Sequence, residues 1–263
     1  MKIALMDSGI GLLPAAAAVR RLRPDADLVL SSDPDGMPWG PRTHAPGYVA
    51  ERALAVARAA AAHRPDALIV ACNTASVHAL PALRAELEPE IPVIGTVPAI
   101  KPAAAGGGPV AIWATPATTG SPYQRGLIRD FADSVDVTEV PCPGLADAVQ
   151  HADEDAIDRA IAAAAALTPD DVRAVVLGCT HYELLAERIR AAVQPAGRPP
   201  VALYGSADAV AAQALRRIGA DPDPAATPST SLEVLLSGRP SELPEAALTY
   251  AEGRVLAAVT PAR

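Results

Sequence analysis

The sequence predicts an α/β protein made of two pseudo-symmetric, doubly wound parallel-sheet domains, with the active site expected in the cleft between them. Three observations predict it. Short apolar runs alternate with longer amphipathic, alanine-rich stretches, the pattern of βαβ units. Two cysteines occupy near-duplicate settings: Asp66-Ala-Leu-Ile-Val-Ala-Cys-Asn-Thr74 and Arg173-Ala-Val-Val-Leu-Gly-Cys-Thr-His181 align residue for residue. The halves also echo each other about the segment 101–109, whose Gly106-Gly107-Gly108 reads as a linker.

Strands are expected at 3–6, 27–30, 67–71, 93–95, 110–114, 135–140, 174–177 and 201–203, each a short apolar run. Helical patterns lie between them near 13–23, 47–63, 76–88, 121–132, 155–166, 183–193 and 207–218. The first half opens with a strand and Asp7-Ser8-Gly9, then carries a strand and Cys72. The second opens with a strand and Ala114-Thr-Pro-Ala-Thr118, then carries a strand and Cys179. The expected domains are 1–100 with 207–263, and 101–206, the tail with 231–236 packing back on the first. Open α/β sheets bind ligands at the carboxyl ends of their strands, which is where these groups fall. The bland alternative is chance similarity, since small alanine-rich βα units resemble one another.

Composition excludes several functions. With 263 residues, half of them hydrophobic, the chain suffices for a sizeable core. A net charge of -8 and 3% aromatics supply neither a basic footprint nor stacking platforms, so no nucleic-acid partner is expected. The start, Met1-Lys-Ile-Ala-Leu-Met-Asp7, carries no signal-peptide pattern, and no apolar run is long enough to span a bilayer. Three widely spaced cysteines make no disulfide framework, which points to the reducing cytoplasm.

A thiol between a strand end and a helix start feels the positive pole of the helix dipole, so both cysteines are expected to titrate toward neutrality. One such residue suggests a nucleophile. Two suggest an acid and a base. A lone cysteine after a strand is more often a small buried hydrophobe, but both here are followed by polar residues, Asn73-Thr74 and Thr180-His181. Those followers serve either as helix caps or as carboxylate holders. No CxxC spacing exists, so no metal site is expected; a redox pair is the open alternative, though it too lacks that spacing. Asp7 reads equally as a helix cap, and Gly9 and Gly11 allow close backbone approach without making a dinucleotide fingerprint. His181 alone of the five histidines adjoins a candidate catalytic residue; His44, His63, His78 and His151 read as surface positions. Lys2 and Lys101, the only lysines, are poorly placed for a pyridoxal Schiff base.

These motifs together resemble the glutamate racemase family, the cofactor-independent amino-acid racemases of peptidoglycan synthesis. The resemblance runs through Asp7-Ser-Gly-Ile-Gly11, Pro38-Trp-Gly-Pro-Arg-Thr43, Ala71-Cys-Asn-Thr-Ala75, Ile94-Gly-Thr-Val-Pro-Ala-Ile-Lys-Pro102, Ala114-Thr-Pro-Ala-Thr118, Cys142-Pro143 and Gly178-Cys-Thr-His-Tyr182. It implies that Cys72 and Cys179 are catalytic, assisted by Asp7 and His181. It further implies that Asp7, Ser8, Trp39, Gly40, Asn73, Thr74, Thr115, Thr118, Thr180 and His181 bind a small amino-acid substrate. No cofactor and no metal are implied, and a homodimer is expected.

The chain departs from the family pattern at Leu12 and Pro14 in the first motif, Trp39 for the usual Tyr, and Glu183 for the usual Pro. It departs again at Gln150, which takes the place of a Glu that supports the histidine. Asp147 is the candidate to restore that charge. The expected activity is glutamate racemisation. The alternatives are a racemase for aspartate or another amino acid, or a catalytically weakened regulatory paralogue. A thiol-dependent decarboxylase is disfavoured because it needs only one cysteine.

Overall fold

The computed structural model describes residues 1–39, 47–194, 197 and 199–258. The chain forms two compact units, Met1–Val97 with Ala207–Arg263, and Pro98–Ser206.

The first unit begins with β1 (Lys2–Asp7), α1 (Leu13–Leu22), β2 (Asp27–Ser32), α2 (Tyr48–Ala61), β3 (Ala67–Val70), α3 (Asn73–His78), α4 (Leu80–Leu87) and β4 (Val93–Gly95). β1 to β4 pair in parallel. Parallel sheets are covered on both faces, which is why these strands read as near-continuous apolar runs: Ile3 to Asp7 and Ala67 to Val70 are all buried. Ala4, Met6, Val29, Leu68 and Val70 join the core formed with α2 and α4. α1 is buried from Leu13 through Arg20. Nη1 of Arg20 donates to the carbonyls of Pro24, Ala26 and Ser229, each at 2.9 Å, and so fastens the returning tail.

The second unit contains α5 (Ile100–Ala105), β5 (Val110–Ala114), α6 (Pro122–Phe131), β6 (Val137–Pro141), α7 (Leu145–His151), α8 (Glu154–Ala165), β7 (Ala174–Leu177), α9 (Thr180–Glu183), α10 (Ala186–Val193) and β8 (Ala202–Tyr204). The chain then returns to the first unit as α11 (Ala207–Arg217), β9 (Leu232–Leu236), β10 (Arg239–Ser241), α12 (Glu245–Leu248) and α13 (Ala251–Ala258). β9 adds in parallel to β2, and β10 folds back on β9 as an antiparallel edge.

The two sheets share a topology. Within the order β10-β9-β2-β1-β3-β4, the last four strands run second, first, third, fourth; β6-β5-β7-β8 repeats that order. In each sheet the first strand lies beside the third, and the sequence order reverses between them.

Three expectations need correcting. The segment 101–109 is not a linker: its start is α5, whose Ile100, Ala103 and Ala104 pack with Val110, Ile112, Ala174 and Val176 in the second unit's core. Only Gly107 and Gly108, with φ of +74° and +82°, form the turn into β5. The single helices expected near 76–88 and 183–193 are each two, because Ala79 and Leu185 leave helical geometry and start new helices at Leu80 and Ala186.

Candidate active site

In the first unit, the β1–β3 ladder is extended when the Ala71 N–H donates to the Met6 carbonyl at 2.8 Å, which brings Cys72 level with the end of β1. In the second, the Gly178 N–H donates to the Trp113 carbonyl at 2.7 Å, doing the same for Cys179 beside β5. Gly178 has to be small, since a Cβ there would lie 2.7 Å from that carbonyl oxygen. Each cysteine then caps a helix with extended backbone: φ, ψ are −144°, 118° for Cys72 and −139°, 134° for Cys179. The duplicated motifs therefore have duplicated geometry.

Around Cys72 the ionisable companion is Asp7, at the end of β1 and fully buried. Its carboxylate accepts from the Ser8 N–H at 2.7 Å, from the Ser8 hydroxyl at 3.3 Å and from the Cys72 thiol. Burial pushes Asp7 up to about 7, against the pull of those hydrogen bonds. Burial, and then the Asp7 charge, push the Cys72 thiol well above its ordinary value. The expected lowering of Cys72 toward neutrality is thus overturned. Helix-end stabilisation is worth about 0.3–1 kcal/mol, whereas full burial moves a group by up to 3–5 pKa units. The Ala75 N–H, 3.5 Å from Sγ, is too little to reverse that. Ser8 and Asn73 are buried beside the pair, and Thr74 is half-buried in the first turn of α3.

Around Cys179, which is half-buried, the companion comes from a different place. β5 offers Ala114 where β1 offers Asp7; instead His181, in α9, sets Nδ1 3.9 Å from Sγ. The histidine's Nε2 is 3.2 Å from Oε1 of Gln150 on α7. An amide oxygen only accepts, so this contact puts the ring proton on Nε2 and leaves the Nδ1 lone pair toward the thiol. Burial pushes His181 down to about 4, keeping it neutral at ordinary pH. Asp147, the candidate to restore a charge, lies on the exposed side of α7. Its carboxylate lies 3.6 Å from His151 one turn along.

Thr180 is buried at the start of α9, while Thr115 and Thr118 pair through their hydroxyls at 3.3 Å in the loop after β5. Glu183 accepts from the Ser206 N–H and hydroxyl, both at 2.8 Å. Cys142 is buried, its thiol on the Val140 carbonyl and pushed by burial to about 12, so it acts as a small hydrophobe. Trp39 is buried in the apolar cluster that includes Cys72, and its indole N–H donates to Asp33 at 3.0 Å. Gly40 and His44 lie outside the described residues. Among the described residues no group of three His, Cys, Asp or Glu side chains suits a metal, and no helix is long and apolar enough to cross a membrane. Sequence reasoning missed Asp33 and its partner Arg52; the only local signal was an Asp directly after β2.

Comparison with known proteins shows the family. A family model described as Asp/Glu/Hydantoin racemase matches residues 13–214. A glutamate racemase of Pseudomonas putida is 34% identical over 248 residues, covering 92% of this chain and 90% of the relative. One from Roseiflexus is 38% identical over 194 residues, covering 72% and 70%. Among solved structures, Escherichia coli glutamate racemase in complex with L-glutamate and an activator superposes with a TM-score of 0.76 at 28% identity, covering 98% of this chain and 95% of that one. The Thermus thermophilus glutamate racemase gives 0.67 at 29% identity over 99% and 94%. The chain belongs to the Asp/Glu/hydantoin racemase family and, within it, to the glutamate racemases.

Proposed function

We propose that this protein interconverts L- and D-glutamate without a cofactor, Cys72 removing the Cα proton of one enantiomer and Cys179 that of the other. The observation that carries the reading is the repeated placement of the two thiols on matching backbone geometry, each with its own proton acceptor. In one direction the Cys72 thiolate takes the Cα proton. The C–H electron pair moves into the carboxylate as enediolate, and the Cys179 thiol returns a proton to the opposite face of Cα. The reverse direction exchanges the roles.

Asp7 takes the Cys72 proton, its affinity near neutrality matching the operating pH. Nδ1 of His181 takes that of Cys179. Ser8, Asn73, Thr74, Thr115, Thr118 and Thr180 offer hydroxyl, amide and backbone donors for the substrate carboxylates and the developing enediolate. Trp39 and Gly40 belong to the same binding set by their place in the motif. The product serves peptidoglycan synthesis, and the protein acts in the cytoplasm as a homodimer.

The test is an amino-acid panel, without added cofactor, read by chiral chromatography. Racemisation of glutamate above all other amino acids is expected. Preference for aspartate or another amino acid would assign the substrate differently, an outcome favoured by indole replacing phenol at Trp39. No racemisation by a fully reduced protein would favour the regulatory paralogue.

A further inference from the structure

We infer that Asp33 is the positioning residue of the Cys72 half-site, holding Ser8 through its backbone and Trp39 through its carboxylate; the inference deepens the proposed racemase reading. The β1–β2 register sets Asp7 opposite Ser32, so Asp33 stands beside Ser8, and its N–H donates to the Ser8 carbonyl at 3.2 Å. Ser8 in turn donates its own N–H to the Asp7 carboxylate that accepts from Cys72. One flank of the thiol thus traces back to Asp33 in three contacts.

The other flank runs through the side chain. The Asp33 carboxylate is fully buried and accepts four hydrogen bonds. Oδ2 takes the Trp39 indole at 3.0 Å and Nε of Arg52 at 2.7 Å; Oδ1 takes Nη2 of Arg52 and the Ser237 hydroxyl at 2.9 Å. A buried carboxylate persists only when paired and hydrogen-bonded, and Arg52 alone would meet that need. The third and fourth donors reach further. The indole contact fixes the ring that packs in the apolar cluster containing Cys72 and Ala75.

The neighbourhood is shaped around this hub. At Gly36 a Cβ would lie 2.0 Å from Asp33 Oδ2 and 2.6 Å from Nε of Arg52, so no side chain fits there. Ser237, in the β9–β10 turn, holds φ of +48°, a conformation L side chains rarely adopt. Its N–H donates to the Ser32 carbonyl at 2.7 Å while its hydroxyl reaches Asp33. The returning tail is thereby tied to the segment that carries Trp39.

The test uses the whole protein with two variants. Asp33→Asn keeps the shape but presents an NH2 group to donors. It should speed alkylation of Cys72 by iodoacetamide about tenfold, read peptide by peptide by mass spectrometry, with Cys179 unchanged. Trp39 emission, isolated in a Trp113→Phe background, should shift to the red. Ser237→Gly relieves the backbone and removes one donor, so Cys72 alkylation should rise about two- to threefold with an unchanged melting temperature. If Asp33→Asn does not fold, Ser237→Gly decides. Parent-like alkylation and emission in the variants that fold would overturn the proposal and leave Asp33 a structural ion pair. Neither readout needs substrate. Failure of the parent to racemise glutamate would therefore overturn only the functional reading, whereas loose flanks should also lower kcat/KM about 10- to 100-fold in Asp33→Asn if that reading holds.

Discussion

His181 donates through Nε2 to the side-chain oxygen of Gln150 at 3.2 Å and turns Nδ1 to the thiol of Cys179 at 3.9 Å. Neither the Gln150 amide nor the neutral His181 ring brings a charge to the thiol. A histidine held near pKa 4 instead of 6.5 resists taking the thiol's proton by about 3 kcal/mol, since each pKa unit is about 1.4 kcal/mol.

Gln150→Glu should relieve part of that resistance. A carboxylate beside the ring favours the imidazolium, so the His181 pKa rises from about 4, measurable by NMR titration. Recovering about 1.4 kcal/mol would raise turnover about tenfold in the direction that uses Cys179 as base. Asp147→Asn should leave turnover within about twofold, because a carboxylate facing solvent beside His151 exerts a weak, screened influence. Circular dichroism of each enantiomer under both substitutions checks this.

Asp7 and His181 make opposite demands on stability. Folded Asp7 titrates near 7 but ordinarily at 3.8, so between about pH 4 and 7 the folded chain holds a proton that the unfolded chain has released. Stability from this group falls as pH rises through that window. His181 is the reverse: between about pH 6.5 and 4 the unfolded chain takes a proton that the folded chain refuses, so stability falls as pH drops. The two effects offset each other over about pH 4–6.5. Asp7→Asn removes the first. Thermal melts should show the variant more stable than the parent at pH 8, by about 2–4 kcal/mol, and newly acid-sensitive below about pH 6.5. Its racemisation should be severely impaired.

Gly178→Ala tests the placement of Cys179. The added methyl would meet the Trp113 carbonyl at 2.7 Å, a backbone atom within the central strand that cannot step aside. A loss of about 1–3 kcal/mol is expected, together with reduced turnover as Cys179 moves. Equal melting temperature and activity would show that the strand end tolerates the methyl carried naturally at Ala71.

Much of this was legible in sequence because the signals are local. Strands at Val93–Gly95, Val110–Ala114 and Ala174–Leu177 match their expected bounds as compact apolar runs. α5 was hidden by Pro102 and the following glycines. Proline is tolerated in a helix's first turn, whose N–H groups have no partner inside the helix. β10 was hidden because Arg239-Pro240-Ser241 is short and polar, and only an edge strand accepts such a proline. The cysteines were legible from a strand, a small residue and polar followers. Their charge state was not, since it depends on burial, and dipole reasoning alone pointed the wrong way for Cys72. The Asp33 hub was illegible for a further reason: its donor Ser237 lies 204 residues away.

The central claim is that two thiols divide the proton transfer, and the most direct test is racemisation run in D2O. From either enantiomer at early conversion, the product should carry deuterium at Cα while the remaining substrate keeps its protium. Cys72→Ser and Cys179→Ser should each lower turnover by about 10²–10⁴-fold. Deuterium entering the remaining substrate as fast as product forms, or parent-like turnover in either variant, would contradict the account.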